Sequence, residues 1–271
     1  MLNVSADYPD LRDRYYQPNL TPLKPFIDPP GNLVILDQGE DGACTGFALA
    51  ATINFIYRQQ GRKHTVSPWM LYAMAKRHDE WLGEAYEGSS CRGAIKGWYN
   101  SGVCNESLTE DIKHSNEFEM TLEIASDASG HRLGAYYRLA REISDFHAAL
   151  NEVGVIFVSA RIHEGWNDKQ GDTIFLRPET IGGHAFAIVG YNDEGFWIQN
   201  SWGSEWKKSG LALWRYDDWA LNIMDAWVVQ LALPITGIGT HHCATQSIAQ
   251  KRLSFEIIDF HLHVHHRFQL I

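Results

Sequence analysis

The spacing of apolar residues changes about half-way along the chain. In the first half, apolar residues recur with helical spacing, and the run that follows Cys44 is apolar nearly all round, as in a buried helix. From residue 155 onwards the apolar runs are short, and Gly, Asn and Asp separate them, which is typical of strands. The sequence therefore predicts an α+β fold in which a helical part precedes an antiparallel β part.

Start and stop signals delimit three helices in the first half. The first opens near Cys44 and ends by Gly61, a residue type that favours helix termini. The second begins at residues 67–68, where Ser is a favourable N-cap and Pro a favourable first residue. The third covers residues 89–102, with its apolar residues on one face and a glycine at its end.

Secondary-structure signals are weak in one part of the remaining chain and strong in the others. Residues 105–132 are acidic and polar, which indicates a surface crossover. Helical spacing returns over residues 143–153. Short strands are then predicted over residues 155–158, 173–176, 185–189, 196–198, 211–214 and 226–229.

Both ends of the chain depart from this pattern. Residues 1–37 are rich in Pro and aromatic residues, which predicts an extended arm lying on a body. Residues 235–271 contain six of the thirteen histidines, namely His241, His242, His261, His263, His265 and His266. Two interpretations are open: a metal site, since His is a common ligand, or a terminal strand or loosely held tail. We favour the tail and assign no metal ligand, because no Cys/His spacing of a structural zinc site is present.

Composition narrows the function. The formal net charge is −10 and no Lys/Arg block occurs, which argues against nucleic acid or an anionic membrane surface as partner. No window approaches the ~18 apolar residues of a membrane span. The N-terminus lacks the features of a signal peptide, and the four irregularly spaced cysteines are typical of free thiols. These observations predict a cytoplasmic location, with signal-independent export left open.

Cys44 is the first candidate for chemistry. A Gly-punctuated polar loop leads into it, and the buried helix follows directly. The free N–H groups and the macrodipole of a helix N-terminus, about half a positive charge, lower the pKa of a thiol there. A low thiol pKa is what a cysteine nucleophile needs. The alternative for Cys44 taken alone is a small core residue.

A base and its orienting group are available in the second half. His184 follows two glycines and leads into an apolar strand, and Asn200 comes sixteen residues later at the end of the next strand. A hairpin of this length brings the two side chains together, so that the Asn oxygen accepts from one imidazole nitrogen while the other faces the thiolate. Each residue alone has a structural explanation, but the three together predict a Cys-His-Asn site.

The chain resembles papain-like cysteine peptidases of the C1 type, in particular the bacterial, disulfide-poor branch. Three motifs carry the resemblance in the family's order and spacing: Gln38 six residues before Cys44, Gly-Gly before His184, and Asn200-Ser201-Trp202-Gly203. The match covers about residues 28–233.

The resemblance implies a domain organisation. A papain-like two-lobe domain would span residues 28–234, with an arm at 1–27 and the His-rich tail at 235–271. The helical lobe would cover residues 38–130. An antiparallel β-barrel-like lobe would cover residues 131–234 together with 28–37, and the active site would lie in the cleft between the lobes. Two roles are open for the arm: it occludes the cleft, or it simply packs on the body.

The resemblance also implies a role for each site residue. Cys44 is the nucleophile, His184 the base, Asn200 its orienting group, and Gln38 an oxyanion-hole donor beside the backbone N–H of Cys44. Further residues are expected to contact the substrate or shield the site. Gly93 and Ala94 would pair with the substrate backbone, Val158, Gly182 and Gly183 would line an open apolar pocket, and Trp202 would shield the His–Asn contact.

Departures from the family pattern leave these catalytic groups intact. The family's Trp after the nucleophile is Thr45 here, the disulfide cysteine before it is Asp41, and Ala94 replaces a glycine. We therefore predict a cysteine peptidase that acts on peptides or proteins without a cofactor. Two alternatives stay open: the same thiol chemistry used as an amidase or transamidase, and a catalytically silent binding module. The sequence does not indicate an oligomeric state.

Overall fold

Three helices in the first half have the predicted positions. The computed structural model describes residues 4–19, 21–79, 88–168 and 171–232, so the His-rich stretch lies outside the described residues. Helix α1 spans Cys44–Gln59, α2 spans Pro68–His78 and α3 spans Cys91–Ser101. The start signals act as expected, because the Ser67 side chain accepts a hydrogen bond from the N–H of Met70 at the start of α2.

Helix α1 is buried along almost its whole length, as its uniformly apolar pattern predicts. Its contact with α2 depends on Gly46. A Cβ at this position would lie 2.6 Å from the carbonyl oxygen of Pro68 and from Tyr72, so a larger residue would force the two helices apart. The first turn of α1, which carries Cys44, is thereby held against the start of α2.

The other helices are shorter. They are α4 (Leu122–Ala128), α5 (Ile143–Glu152) and α6 (Tyr216–Asn222), with 3-10 turns at Glu106–Leu108, Ser115–Glu117 and Glu164–Trp166. Helix α5 matches the predicted helix, whereas α4 lies within the stretch predicted as a crossover. The sequence pattern missed α6, because this helix of seven residues joins the preceding and following strands without a glycine or proline between them.

Seven strands form one sheet. They are β1 (Leu133–Arg138), β2 (Ile156–His163), β3 (Thr173–Ile174), β4 (Thr180–Tyr191), β5 (Gly195–Gln199), β6 (Leu211–Arg215) and β7 (Ile223–Leu231). Their order is β1-β7-β2-β4-β5-β6-β3, and every neighbouring pair is antiparallel except β3 and β6. Strand β1 was not predicted, because only its first residue is buried and no alternation is visible.

The two faces of the sheet pack against different helices. Phe157, Ala185 and Trp227 lie in one apolar core with α1, α2 and α3. Alternate residues of the same strands, including Val158, lie in a second core with α5 and α6. The mixed α+β architecture confirms the predicted fold class, and α1 packs directly on β4, the strand that contains His184.

The N-terminal residues run as an extended arm along this body. Isolated bridges join Val4 to Ser89, Tyr15 to Arg138 and Ile27 to Tyr191. Ile27 and Tyr191 exchange both backbone hydrogen bonds, at 2.8 and 2.9 Å. The arm is therefore fixed to the helical part at its start and to strand β4 at its end.

Candidate active site

Cys44 is the first residue of α1 and is completely buried. The backbone N–H of Ala185, in strand β4, faces its sulfur and acts to lower the pKa of the thiol. Ala185 directly follows His184 in the chain. The nucleophile candidate and the base candidate therefore meet where the start of α1 contacts β4.

His184 is held by Asn200. The imidazole Nε2 and the Asn200 Oδ1 are 2.7 Å apart, and this oxygen also accepts a hydrogen bond from the N–H of Ser201 at 2.8 Å. Since the amide oxygen accepts, the Nε2 of His184 carries the proton in this contact. Asn200 is 1% exposed, so water has little access to the pair. Strands β4 and β5 bring the two residues together as the hairpin prediction required.

The other imidazole nitrogen is free. Nδ1 of His184 has no hydrogen-bond partner within the part of the chain that the structure describes. Aromatic rings pack around the imidazole, with ring centroids at 4.9 Å for Trp202 and 6.1 Å for Trp166. The Nδ1 lone pair is therefore available to take a proton in a site largely closed to water.

Gln38 lies near the same strand end and is 3% exposed. Its Oε1 accepts a hydrogen bond from the Ser201 hydroxyl at 2.6 Å, and its Nε2 donates to the carbonyl of Asp41 at 2.7 Å. Two contacts fix the amide plane, and the second hydrogen on Nε2 stays available. Because Ser201 directly follows Asn200, the residue that holds Gln38 and the residue that orients His184 are neighbours in the chain.

Burial controls the proton affinities in this closed arrangement. Burial raises the pKa of the Cys44 thiol to about 11, although the N–H groups of Ala185 and Thr45 act to lower it. Burial also lowers the pKa of His184 to about 4, against the hydrogen bond to Asn200, which acts to raise it. At neutral pH both groups are therefore uncharged, in contrast to the thiolate predicted from the helix position.

The start of the arm lies beside these residues. The Val4 N–H donates to the carbonyl of Gly183 at 3.2 Å, next to His184, and Val4 packs in the core that contains Cys44. A Cβ at Gly183 would lie 2.0 Å from the Val4 carbonyl oxygen, so this approach requires glycine. On the opposite side Val4 pairs with Ser89, whose hydroxyl also hydrogen-bonds to Thr45.

Gly93 and Ala94, the predicted partners of the substrate backbone, use their amide N–H groups within α3. Both belong to the first turn of α3, and both are buried. The N–H of Gly93 donates to the Ser90 side chain at 3.0 Å, and the N–H of Ala94 donates to the Ser90 carbonyl at 3.1 Å. Because these amides are used within the helix, Ser89, just before it, is the residue that pairs with an extended strand.

The predicted apolar pocket also needs correction. Val158 packs in the core with α5 and α6, on the face of the sheet away from Cys44. Its neighbour Ser159 points to the opposite face and pairs in register with Ala185. Gly182 and Gly183 are half-buried on β4. At this position of β2, the side chain on the Cys44 side of the sheet is therefore the serine and not the valine.

A buried charge cluster, not predicted from the sequence, adjoins this region. It consists of two arginines on the body, one aspartate on β7 and two aspartates on the arm: Arg92, Arg138, Asp225, Asp7 and Asp13. The available signal was Asp225, an acidic residue directly before an apolar strand run. Its partner Asp7 is 218 residues away in the sequence, so no local pattern connects them.

The described residues contain neither a metal-binding cluster nor a membrane-spanning helix. Within them, no group of three or more His, Cys, Asp or Glu side chains is arranged to hold a metal ion. The helices that the structure describes are all too short or too polar to cross a bilayer.

Comparisons with known proteins agree with the geometry. The family model described as papain family cysteine protease matches residues 33–228, most of the chain. An uncharacterized peptidase C1-like protein, L477 of Acanthamoeba polyphaga mimivirus, is 27% identical over 229 residues, which are 77% of this chain and 73% of the viral protein.

Solved structures show the same fold. Xylellain, a cysteine protease from Xylella fastidiosa, superposes with a TM-score of 0.78 at 24% identity, covering 86% of this chain and 96% of its own. Digestive procathepsin L 3 of the Tenebrio molitor larval midgut gives a TM-score of 0.65 at 21% identity, with 80% and 73% covered.

Proposed function

Because this chain belongs to the papain family of cysteine proteases, and is thus a cysteine peptidase acting on peptides or proteins, we propose that Cys44, His184 and Asn200 carry its reaction. Cys44 is the nucleophile, His184 the general base and then acid, and Asn200 the group that orients His184. Gln38 and the backbone N–H of Cys44 donate to the oxyanion.

The reaction runs in two acyl-transfer steps. The thiol proton of Cys44 passes to Nδ1 of His184, and the sulfur attacks the peptide carbonyl carbon to give a tetrahedral oxyanion. His184 then gives its proton to the leaving amine as the C–N bond breaks, which leaves a thioester on Cys44. Water loses a proton to His184 and attacks the thioester, and the carboxylic acid product and the thiol are formed.

One observation carries this proposal. The contact between His184 Nε2 and Asn200 Oδ1, at 2.7 Å, fixes the ring while Nδ1 has no partner among the described residues. Nδ1 is the nitrogen that must accept the proton of the Cys44 thiol. The N–H of Ala185, the residue directly after His184, faces the Cys44 sulfur. A purely structural histidine that is fully buried would have both nitrogens satisfied.

The closed site leads to a second part of the proposal: the arm holds the enzyme inactive. Val4 joins Ser89 on the helical side to Gly183, next to His184, on the β side, and in this proposal it blocks the path to Cys44. Its displacement would admit water as well as substrate. Hydration removes the burial effect on both pKa values, and the helix N-terminus then favours the thiolate.

The test is labelling of the full-length protein with E-64, an epoxide that alkylates activated thiols of papain type, together with hydrolysis of a denatured protein substrate. We expect slow labelling, because Cys44 is accessible only while the arm is displaced, with a single adduct on Cys44 in peptide mass spectra, and no hydrolysis after Cys44→Ala. The matched control is Cys104→Ala, which removes another buried thiol, located in the small core with Met70. It should keep both the adduct and the hydrolysis.

The variant His184→Ala completes the test. Circular dichroism verifies that it is folded, and its labelling should slow by about 10²–10⁴-fold because the general base is lost. Hydrolysis that survives Cys44→Ala, or labelling that is unaffected by His184→Ala, would contradict the assignment.

A further inference from the structure

The arm inserts one acidic residue into a pocket of the body. Asp7 is 6% exposed, and its carboxylate accepts hydrogen bonds from the backbone N–H of Arg92 at 3.0 Å and from Trp227 Nε1 at 2.9 Å. Its own backbone N–H donates to the Asp225 carboxylate at 2.8 Å. All three partners belong to the body, so the body recognises both the side chain and the backbone of this residue.

The pocket adjoins the nucleophile. Its inner wall includes Ser159, which bonds to Asp225 at 3.2 Å and pairs in register with Ala185, the residue whose N–H contacts the Cys44 sulfur. The Cys91 thiol lies close enough to both Asp7 and Cys44 to interact electrostatically with each. A side chain in the pocket is thus attached to a backbone that passes close to Cys44.

The chemistry of the pocket is that of an acid-binding site. Two N–H donors converge on one carboxyl group, and one of them belongs to the first turn of α3; burial and the charge of Asp225 outweigh these donors, so the pocket favours the protonated carboxyl over the anion. The guanidinium groups of Arg92 and Arg138 lie 5.2 and 5.4 Å from the Trp227 ring centre. Of the body residues named here around Asp7, Asp225 is acidic, and its carboxylate accepts a hydrogen bond from Arg138.

The same geometry discriminates between an acid and its amide. Both side-chain oxygens of Asp7 accept a hydrogen bond. An asparagine in this position would present its NH₂ group to an N–H donor and lose one of the two bonds. A leucine would leave both donors buried without a partner.

We propose that, once the arm leaves, this pocket takes an aspartyl residue of the peptide substrate close to the scissile bond, so that the enzyme is selective for acidic peptides. The inference rests on the proposed function. Departure of the arm leaves two buried donors without a partner and removes one of the three hydrogen bonds that the described residues donate to Asp225. A substrate residue with a carboxyl group and a free backbone N–H restores all three contacts. Asp7 is, in this view, an internal mimic of the substrate.

The experiment uses the full-length chain with Asp7→Asn, which weakens the arm's contact and leaves the pocket unchanged. Fluorogenic peptides carry Asp, Asn, Leu or Arg at each of the three positions before the cleaved bond. We expect one position at which kcat/KM at pH 4.5 is about tenfold higher for Asp than for Asn, and higher still relative to Leu, with the preference for Asp shrinking as the pH rises to 7 because the pocket favours the protonated carboxyl. The Asp-to-Asn ratio is measured on the intact pocket, so it needs no pocket variant.

A pocket variant then tests the donor. Adding Trp227→Phe should lower kcat/KM for the Asp peptide about tenfold more than for the Leu peptide. Efficient cleavage with no preference for Asp at any of the three positions would overturn this inference and leave the proposed function standing. No cleavage together with no E-64 adduct on Cys44 would overturn the proposed function, and this inference with it.

Discussion

The backbone N–H of Asp7 and the side chain of Asp225 are hydrogen-bonded at 2.8 Å, which places two acidic side chains in one buried site. Burial, and then the charge of Asp225, raises the pKa of Asp7 from 3.8 to about 7, against the hydrogen bonds from Arg92 and Trp227. In a released arm Asp7 regains its ordinary pKa. The docked arm therefore binds the proton more tightly, and its stability depends on pH.

The sign of this dependence follows from linkage. A raised pKa in the docked state means that its contribution is complete below about pH 4 and is lost as the pH rises through 7. We expect hydrogen exchange of the backbone amides of residues 4–16, corrected for the intrinsic rate, to become at least about tenfold less protected between pH 4 and 7. The Asp7→Asn variant should show a nearly flat profile, and a wild-type profile that is equally flat would contradict the prediction.

The pKa of Asp13 is shifted in the opposite direction to that of Asp7. Burial acts to raise its pKa, but hydrogen bonds from Arg92 and Arg138 lower it overall. Its side chain is 4% exposed, and Arg92 contacts it with two nitrogens. We expect Asp13→Asn to speed E-64 labelling of Cys44 by about tenfold or more, because the buried guanidinium of Arg92 loses the anion that it contacts with two nitrogens, Arg138 loses one of its two carboxylate partners, and the docked arm is destabilised.

The matched control for Asp13 is Arg12→Ala. Arg12 is exposed, and its ion pair with Asp10 lies within the arm itself, so release of the arm does not break it. Its labelling rate should equal that of wild type. Equal rates for Asp13→Asn and wild type would show that the arm does not limit access to Cys44.

Gln38→Ala should lower kcat by about 10²–10³-fold, because one oxyanion donor is lost, with a much smaller change in KM. Ser201→Ala removes only the 2.6 Å hydrogen bond that holds the Gln38 side chain. Its effect on kcat should be smaller, about tenfold, since the bond to Asp41 remains. Steady-state kinetics on one peptide substrate measures both variants, and a larger loss for Ser201→Ala would argue against Gln38 as a donor.

Asn200→Ala should lower kcat by about 10–100-fold, because the imidazole of His184 loses the acceptor that fixes its tautomer. Circular dichroism verifies that the variant is folded. Asn100→Ala serves as the control, since Asn100 is exposed and its side chain bonds only to a carbonyl within its own helix. A full-rate Asn200→Ala enzyme would remove Asn200 from the mechanism.

The sequence predicted those features of the fold and the site that depend on residues close together in the chain. Ser67 and the glycine at position 102 mark helix ends through short-range hydrogen bonding and backbone conformation, and the structure has them as predicted. The hairpin that joins His184 to Asn200 is also short, so its spacing was informative. The family resemblance supplied Gln38, which no pattern of apolar residues would have indicated.

The remaining features depend on which face a residue occupies or on distant contacts. Val158 and Ser159 exchange faces with a one-residue change in register, and the sequence does not fix that choice. The pKa of Cys44 was predicted from the helix position alone, whereas burial, which requires the whole fold and the arm, dominates it. The approach of Asp7 to Asp225 likewise exists only after the ends of the domain meet.

The double hydrogen bond between Ile27 and Tyr191 has a consequence for how the enzyme is switched. Val4 and Ile27 both contact β4, at Gly183 and Tyr191, so the arm is fastened to the active-site strand at two points. If the contact at Val4 opens while the contact at Ile27 holds, the released segment remains tethered to the body. Its effective concentration at the cleft is then typically millimolar, as for a short flexible linker. Opening of the arm is then a reversible equilibrium, which an abundant or tightly bound substrate shifts towards the open state. Cleavage of the chain between Val4 and Ile27 would make the open state permanent.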